Sequence, residues 1–181
     1  MIATSVDAFG AIGRLLEYPG AGYRTHLTQC LECLADGHPE ALARIRRFAA
    51  AIDGLSVQQL QERFTETFDL NPVCTLEVGW QLFGEEYARG NFLVTMRQLL
   101  RTHEVPESSE LPDHLTHVLL LLGRLEPEAR VELVERYVSP AVAKMLTSFE
   151  GKDGPYEDVM QAVGTLIADV TTAQTAEVAH D

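Results

Sequence analysis

Apolar positions recur three and four residues apart along most of this chain, and convincing period-two alternation is absent. The first segment of this kind runs from about Ser5, a possible N-cap, to Tyr18, where Pro19-Gly20 stops it. A second covers about Tyr23–Ala35, with Tyr23, Leu27, Cys30, Leu31 and Leu34 on one stripe and Gly37 as terminator. Pro39, a favoured first helical residue, opens a third that ends near Asp53-Gly54. A fourth follows the cap residue Ser56, sets Val57, Leu60, Phe64 and Phe68 on one face, and ends before Asn71-Pro72.

From Thr75 to His103 the pattern changes. Read as a helix, the start of this stretch has two apolar stripes, Val78 with Leu82 on one side and Leu76, Trp80, Phe83 and Tyr87 on the other. A helix apolar around most of its circumference belongs in an interior or lines a binding groove, so one of these faces is expected to meet a partner or a second copy unless both are core. Gly84 or Gly90 is the expected division point. A polar link, Glu104–Glu110, leads to the most apolar stretch, Pro112–Leu125. Pro127 opens a further helix that Pro140 must kink or break. After a turn at Gly151–Gly154, Pro155 starts a last helix reaching the early 170s, followed by a polar tail over 174–181. The reading is a single all-α domain over 1–173, a bundle of eight or nine helices.

With 181 residues, the chain can bury roughly 70% of its unfolded surface and needs no covalent staples. Its uninterrupted apolar runs, such as Val118–Leu122, are far too short for a membrane span, and Asp7 sits where a secretory signal would be basic. A net charge of −13 argues against nucleic acid and for a basic partner. Three cysteines are too sparse for a disulfide scaffold.

Few residue sets suggest chemistry. Cys30-Leu31-Glu32-Cys33 is a C-x-x-C without a second pair or a surrounding βαβ pattern, so packing is the simpler account. His114 and His117 stand on neighbouring turns but lack the H-E-x-x-H arrangement, and burial is again simpler than a metal. Nucleophile elbows, phosphate loops and dinucleotide fingerprints are absent, and no residue set makes a good enzyme.

Four stretches do combine into a recognisable pattern: Phe64–Gly90 (FTETFDLNPVCTLEVGWQLFGEEYARG), Glu110–Leu115 (ELPDHL), and more weakly LLEYPG with PYEDVMQAV. Together they resemble the chaperones that assemble molybdenum enzymes, the NarJ branch with its relatives TorD and DmsD. The resemblance implies a non-catalytic, cytoplasmic, all-helical, TorD-like chaperone, monomeric or dimeric, that binds no nucleic acid and enters no membrane. Its partner would be the apo catalytic subunit of a molybdenum oxidoreductase, of the nitrate reductase or nitrite oxidoreductase class, held through its N-terminal segment. It would bind no cofactor stably, but would keep that subunit competent for insertion of bis-molybdopterin guanine dinucleotide before docking or export.

The family's E-x-P-D-H-type turn, implicated in partner binding, matches Glu110, Pro112, Asp113 and His114. Its aromatic and aspartate elements match Phe68, Asp69, Trp80 and Phe83, and Tyr87 completes the implied binding set. Two departures bear on the client: Asn71-Pro72-Val73-Cys74 replaces an arginine-rich stretch, and Trp80 replaces a tyrosine. Asp113 is expected in the first turn of the His114 helix, either capping that helix or, with Glu110, presenting charge to a basic segment. The alternatives to a chaperone are a generic helical adaptor or a metal- or thiol-binding module.

Overall fold

The computed structural model describes residues 7–150 and 154–178. Ten α-helices follow one another among them: α1 (Ala8–Gly13), α2 (Tyr23–Ala35), α3 (Pro39–Ala51), α4 (Val57–Phe64), α5 (Val78–Phe83), α6 (Tyr87–Thr102), α7 (Leu115–Leu122), α8 (Pro127–Leu133), α9 (Ser139–Thr147) and α10 (Tyr156–Val178). A π turn at Val134–Val138 joins α8 to α9, so the ten helices make nine continuous rods, in accord with the all-α expectation. That π turn answers Pro140. Proline removes one helical hydrogen bond, and the wider turn just before it lets the rod continue instead of breaking.

Local chemistry sets most boundaries. Asp7 caps α1, its Oδ1 accepting from Gly10 N at 2.7 Å; the expected cap Ser5 lies outside the described residues, as do residues 151–153 of the expected turn. Ser56 and Gln59 form a reciprocal capping box on α4, at 3.2 and 2.9 Å. Pro39 and Pro127 stand in the first turns of α3 and α8. The long Thr75–His103 segment divides at Gly84, where φ is +55°, a value that glycine adopts without penalty. Gly90 stays inside α6.

The core is one connected apolar cluster. The long α10 lies along α3 and α9, while α1 packs on α2 and α7. Near its centre Tyr156 is fully buried, with Phe48, Phe64 and Phe68 at ring-centroid distances of 5.3, 5.6 and 5.2 Å. Its hydroxyl lies 3.4 Å from that of Tyr23, which donates to Leu15 O at 2.8 Å. Leu60 and Phe64 face inward from α4, and Phe68 from the turn that continues it, but Val57, placed on the same face by periodicity, is 39% exposed. It sits in the first turn, where the helix has not yet reached the core. On α5, Val78 is buried, and Trp80, Leu82 and Phe83 are half-buried.

Candidate functional site

A groove of about 910 Å³ opens between the end of α4, α5, the link from α6 to α7, and the start of α7. Its aromatic lining comes from Tyr18, Phe64, Phe68 and Trp80, and its carboxylates from Glu17, Asp69, Glu77, Glu107 and Glu110. Each wall is built by a local device.

The first wall is the C-terminal end of α4. There the rod widens into a π turn, Thr65–Asp69, which carries both Phe68 and Asp69. Thr65 Oγ1 donates to Asp69 Oδ2 at 3.1 Å, holding the carboxylate at the mouth. Phe68 rests on Phe64 at 4.9 Å and on Tyr156, so the groove's floor is continuous with the core. Tyr18 stands edge-on to Phe64 at 5.6 Å and is 57% exposed.

The second wall joins α5 to the Pro112-Asp113-His114 turn. Glu77 and His114 make an isolated antiparallel bridge. Its hydrogen bonds run from Leu115 N to Leu76 O at 2.8 Å and from Val78 N to Asp113 O at 3.0 Å. Asp113 Oδ2 accepts from Gly79 N at 2.8 Å. Asp113 was expected in the first turn of its own helix; instead it precedes α7 and caps α5, a helix 34 residues earlier. Two of the N–H groups that every helix start leaves unpaired are thereby satisfied by the adjoining turn. The reason is that His114 takes the capping role on α7, its Nδ1 accepting from Thr116 N at 3.4 Å, so Asp113 falls one residue outside. Gly79 is required for this contact, since a Cβ there would lie 2.7 Å from Asp113 Oδ2 and 2.9 Å from Phe92 Cδ1.

The third wall, Pro106–Glu110, is pinned by His117. Ser108 N donates to its Nε2 at 3.0 Å, and its Nδ1 meets Leu111 O at 2.9 Å. The Ser108 N–H at one nitrogen and the Leu111 carbonyl at the other place the ring proton on Nδ1. Glu107 is engaged by Arg97 at 3.0 Å and Arg101 at 3.5 Å.

Of the nine residues singled out from the sequence, the groove gathers Phe68, Asp69, Trp80, Glu110 and His114. Pro112 and Asp113 are buried outside its lining. Phe83 lies beside Phe92 at 5.6 Å, and Tyr87, 87% exposed, stands outside the groove. Sequence reasoning missed Tyr18, Glu17, Glu77 and Arg89 as groove residues. Only Tyr18 carried a signal, an aromatic beside a Pro-Gly stop.

The electrostatics follow from burial. Asp113 is fully buried, and its carboxyl is held above the ordinary range by desolvation, against the pull of Gly79 N–H and Arg89. Glu77 is also raised, chiefly by burial. His114 is pushed down to about 4 by burial and then by His117. The sign follows: between its ordinary 6.5 and about 4 the unfolded chain binds the proton first. Stability from this group is therefore full above pH 6.5 and is lost as pH falls towards 4. Asp113 and Glu77 slope the other way, contributing most in acid and less as pH rises through their raised values. A series of melting temperatures from pH 7 to pH 4 should show His114→Gln losing less stability than the wild type. Identical slopes would mean that His114 titrates normally.

Among the described residues, no three His, Cys, Asp or Glu side chains gather where one metal ion could be held. The Cys30 thiol is pushed up to about 12 by burial and by Cys33, and the Cys33 thiol is raised by burial and by Asp7 and Asp36. Neither resembles a thiolate poised for exchange, which supports packing as the role of the C-x-x-C. No helix of the described residues is long and apolar enough to cross a membrane.

Fold and site together define an all-α bundle with an open groove whose aromatic floor meets an acidic rim. Residues 31–156 match the family model of the nitrate reductase delta subunit, and the chain belongs to that family. It is 28% identical over 154 residues to the nitrate reductase molybdenum cofactor assembly chaperone NarJ of Escherichia coli (strain K12), an alignment covering 80% of this chain and 63% of NarJ. It is 30% identical over 133 residues to the nitrate reductase-like protein NarX of Mycobacterium tuberculosis (strain ATCC 25618 / H37Rv), covering 68% of this chain and 20% of NarX. The chain thus spans less than two thirds of the length of either relative.

Proposed function

We propose that this protein is a non-catalytic, cytoplasmic assembly chaperone for the catalytic subunit of a nitrate reductase or related molybdenum oxidoreductase. It holds the N-terminal segment of the cofactor-free subunit in the groove and keeps that subunit open to insertion of bis-molybdopterin guanine dinucleotide. Family membership and the named function of NarJ support the class of client.

The observation that carries the reading is the groove, where Phe68 and Trp80 offer apolar surface beside Asp69 and Glu110. That combination suits an amphipathic segment laid in a groove and bearing a basic residue. A few charge-assisted hydrogen bonds of about 1.5–3 kcal/mol each, with one apolar anchor, give roughly micromolar affinity once association costs are subtracted. Binding of that strength is compatible with later release.

The test is co-purification from cells unable to make the molybdenum cofactor. Wild-type protein should bring down the cofactor-free catalytic subunit, and Trp80→Ala combined with Asp69→Asn should lose it while melting within a few degrees of wild type. Undiminished capture by the double variant would place the client elsewhere on the surface.

A further inference from the structure

Arg89 stands out among the groove residues. It is the cation in a lining that carries five carboxylates, Glu17, Asp69, Glu77, Glu107 and Glu110. Such a guanidinium would ordinarily be found in a bidentate ion pair. Arg89 has no ion pair within 4 Å among the described residues, and its Nε is buried without a hydrogen-bond partner. Its direct contact is the ring of Trp80, with the guanidinium carbon 5.1 Å from the ring centroid, while Asp113 and Glu77 attract it from beyond ion-pair distance. Its stem passes close to Gly79. The other rim cations behave differently, since Arg97 and Arg101 are both bound to Glu107.

We infer that Arg89 is a resident stand-in for a basic side chain of the bound segment: it covers the face of Trp80 inside the acidic groove and gives up that seat when a guanidinium-bearing peptide docks. The inference rests on the groove's being the docking site. Two physical points support it. The Trp80 face is the strongest cation–π platform available here, since this is the chain's single tryptophan. A cation held by stacking and by carboxylates beyond ion-pair distance can leave without breaking a hydrogen bond, whereas one clamped by a carboxylate cannot do so cheaply. Until a partner arrives, Arg89 shields a groove that would otherwise attract any basic peptide. It acts as a selectivity filter, because a ligand must displace it to reach Trp80.

The test uses Arg89→Met, which keeps the apolar stem over Gly79 and removes the charge, with Arg97→Gln as a control that removes the same charge from the rim. Two probes are titrated: an amphipathic 15-residue peptide bearing two arginines, and its twin with both replaced by glutamine. Arg89→Met should bind the arginine peptide about five- to tenfold more tightly than wild type, the order expected from freeing one cation–π face. It should bind the glutamine twin unchanged, and Arg97→Gln should gain much less. An equal gain in both variants would reduce the effect to net charge and overturn the inference, as would weaker binding by Arg89→Met. Arginine amide, followed by Trp80 fluorescence, supplies an assay independent of the client. A saturable response in Arg89→Met that is absent from wild type supports the vacated seat even if neither peptide binds, in which case the docking reading alone fails. Absence of that response in a folded Arg89→Met protein overturns the inference. Should Arg89→Met not fold, Arg89→Lys, with its weaker stacking, takes its place and must show the same direction of change in both assays.

Discussion

Gly79→Val is expected to cost about 2–4 kcal/mol and to lower the melting temperature by roughly 5–15 °C. The added Cβ alone would press within 2.7 Å of Asp113 Oδ2 and 2.9 Å of Phe92 Cδ1. Neither neighbour can yield easily, since Asp113 is hydrogen-bonded into the start of α5 and Phe92 is buried against Tyr137 at 4.8 Å. Displacing Asp113 leaves the first N–H groups of α5 unpaired and a buried carboxylate with still fewer partners. Because α5 carries Trp80, the groove should deform with it, so peptide affinity should fall in parallel with stability. Asp113→Ala in the Gly79→Ala background should cost less than the sum of the two single changes, since they act on one contact. Strict additivity, or a melting temperature for Gly79→Val within a degree of wild type, would show that the Gly79–Asp113 approach does not matter.

The second large effect belongs to Tyr156. Its ring is fully buried among Phe48, Phe64 and Phe68, so Tyr156→Ala is expected to cost about 3–5 kcal/mol. Tyr156→Phe keeps the ring and loses only the hydroxyl contact to Tyr23, at a cost of about 1 kcal/mol or less. Tyr23 retains its bond to Leu15 O in that variant. Thermal melts of the pair separate ring from hydroxyl. Equal losses would mean that the 3.4 Å hydroxyl pair, not ring packing, holds this point of the core. Phe68 leans on the same ring from the groove side, so peptide binding by Tyr156→Ala should weaken even at temperatures where it remains folded.

These residues also show how far the sequence could be read. The helices at Tyr23–Ala35 and Pro39–Ala51, and the cap at Ser56, were legible because their determinants lie within four residues of each other. The groove's aromatic and acidic elements, Phe68, Asp69, Trp80 and Glu110, came from resemblance, and periodicity alone gave only an overly apolar segment. Asp113 could not be read correctly from local rules. First-turn capping was a sound expectation, but His114 supplies that function and frees Asp113 for Gly79. The choice between Gly84 and Gly90 likewise turns on a positive φ that no spacing reveals. Arg89 was invisible for a similar reason: its place over Trp80 depends on how α5 and α6 fold back on each other after Gly84.

The bridge between Glu77 and His114 has a consequence for the order of events during synthesis. Trp80 leaves the ribosome well before Asp113, yet the helix that presents it lacks its cap until Asp113 arrives. The aromatic floor waits longer still, because Phe64 and Phe68 gain their backing only when Tyr156 follows. A nascent chain ending anywhere between Trp80 and Asp113 therefore has the groove's aromatic side chains without the groove. The groove thus takes shape only after residue 156 has emerged.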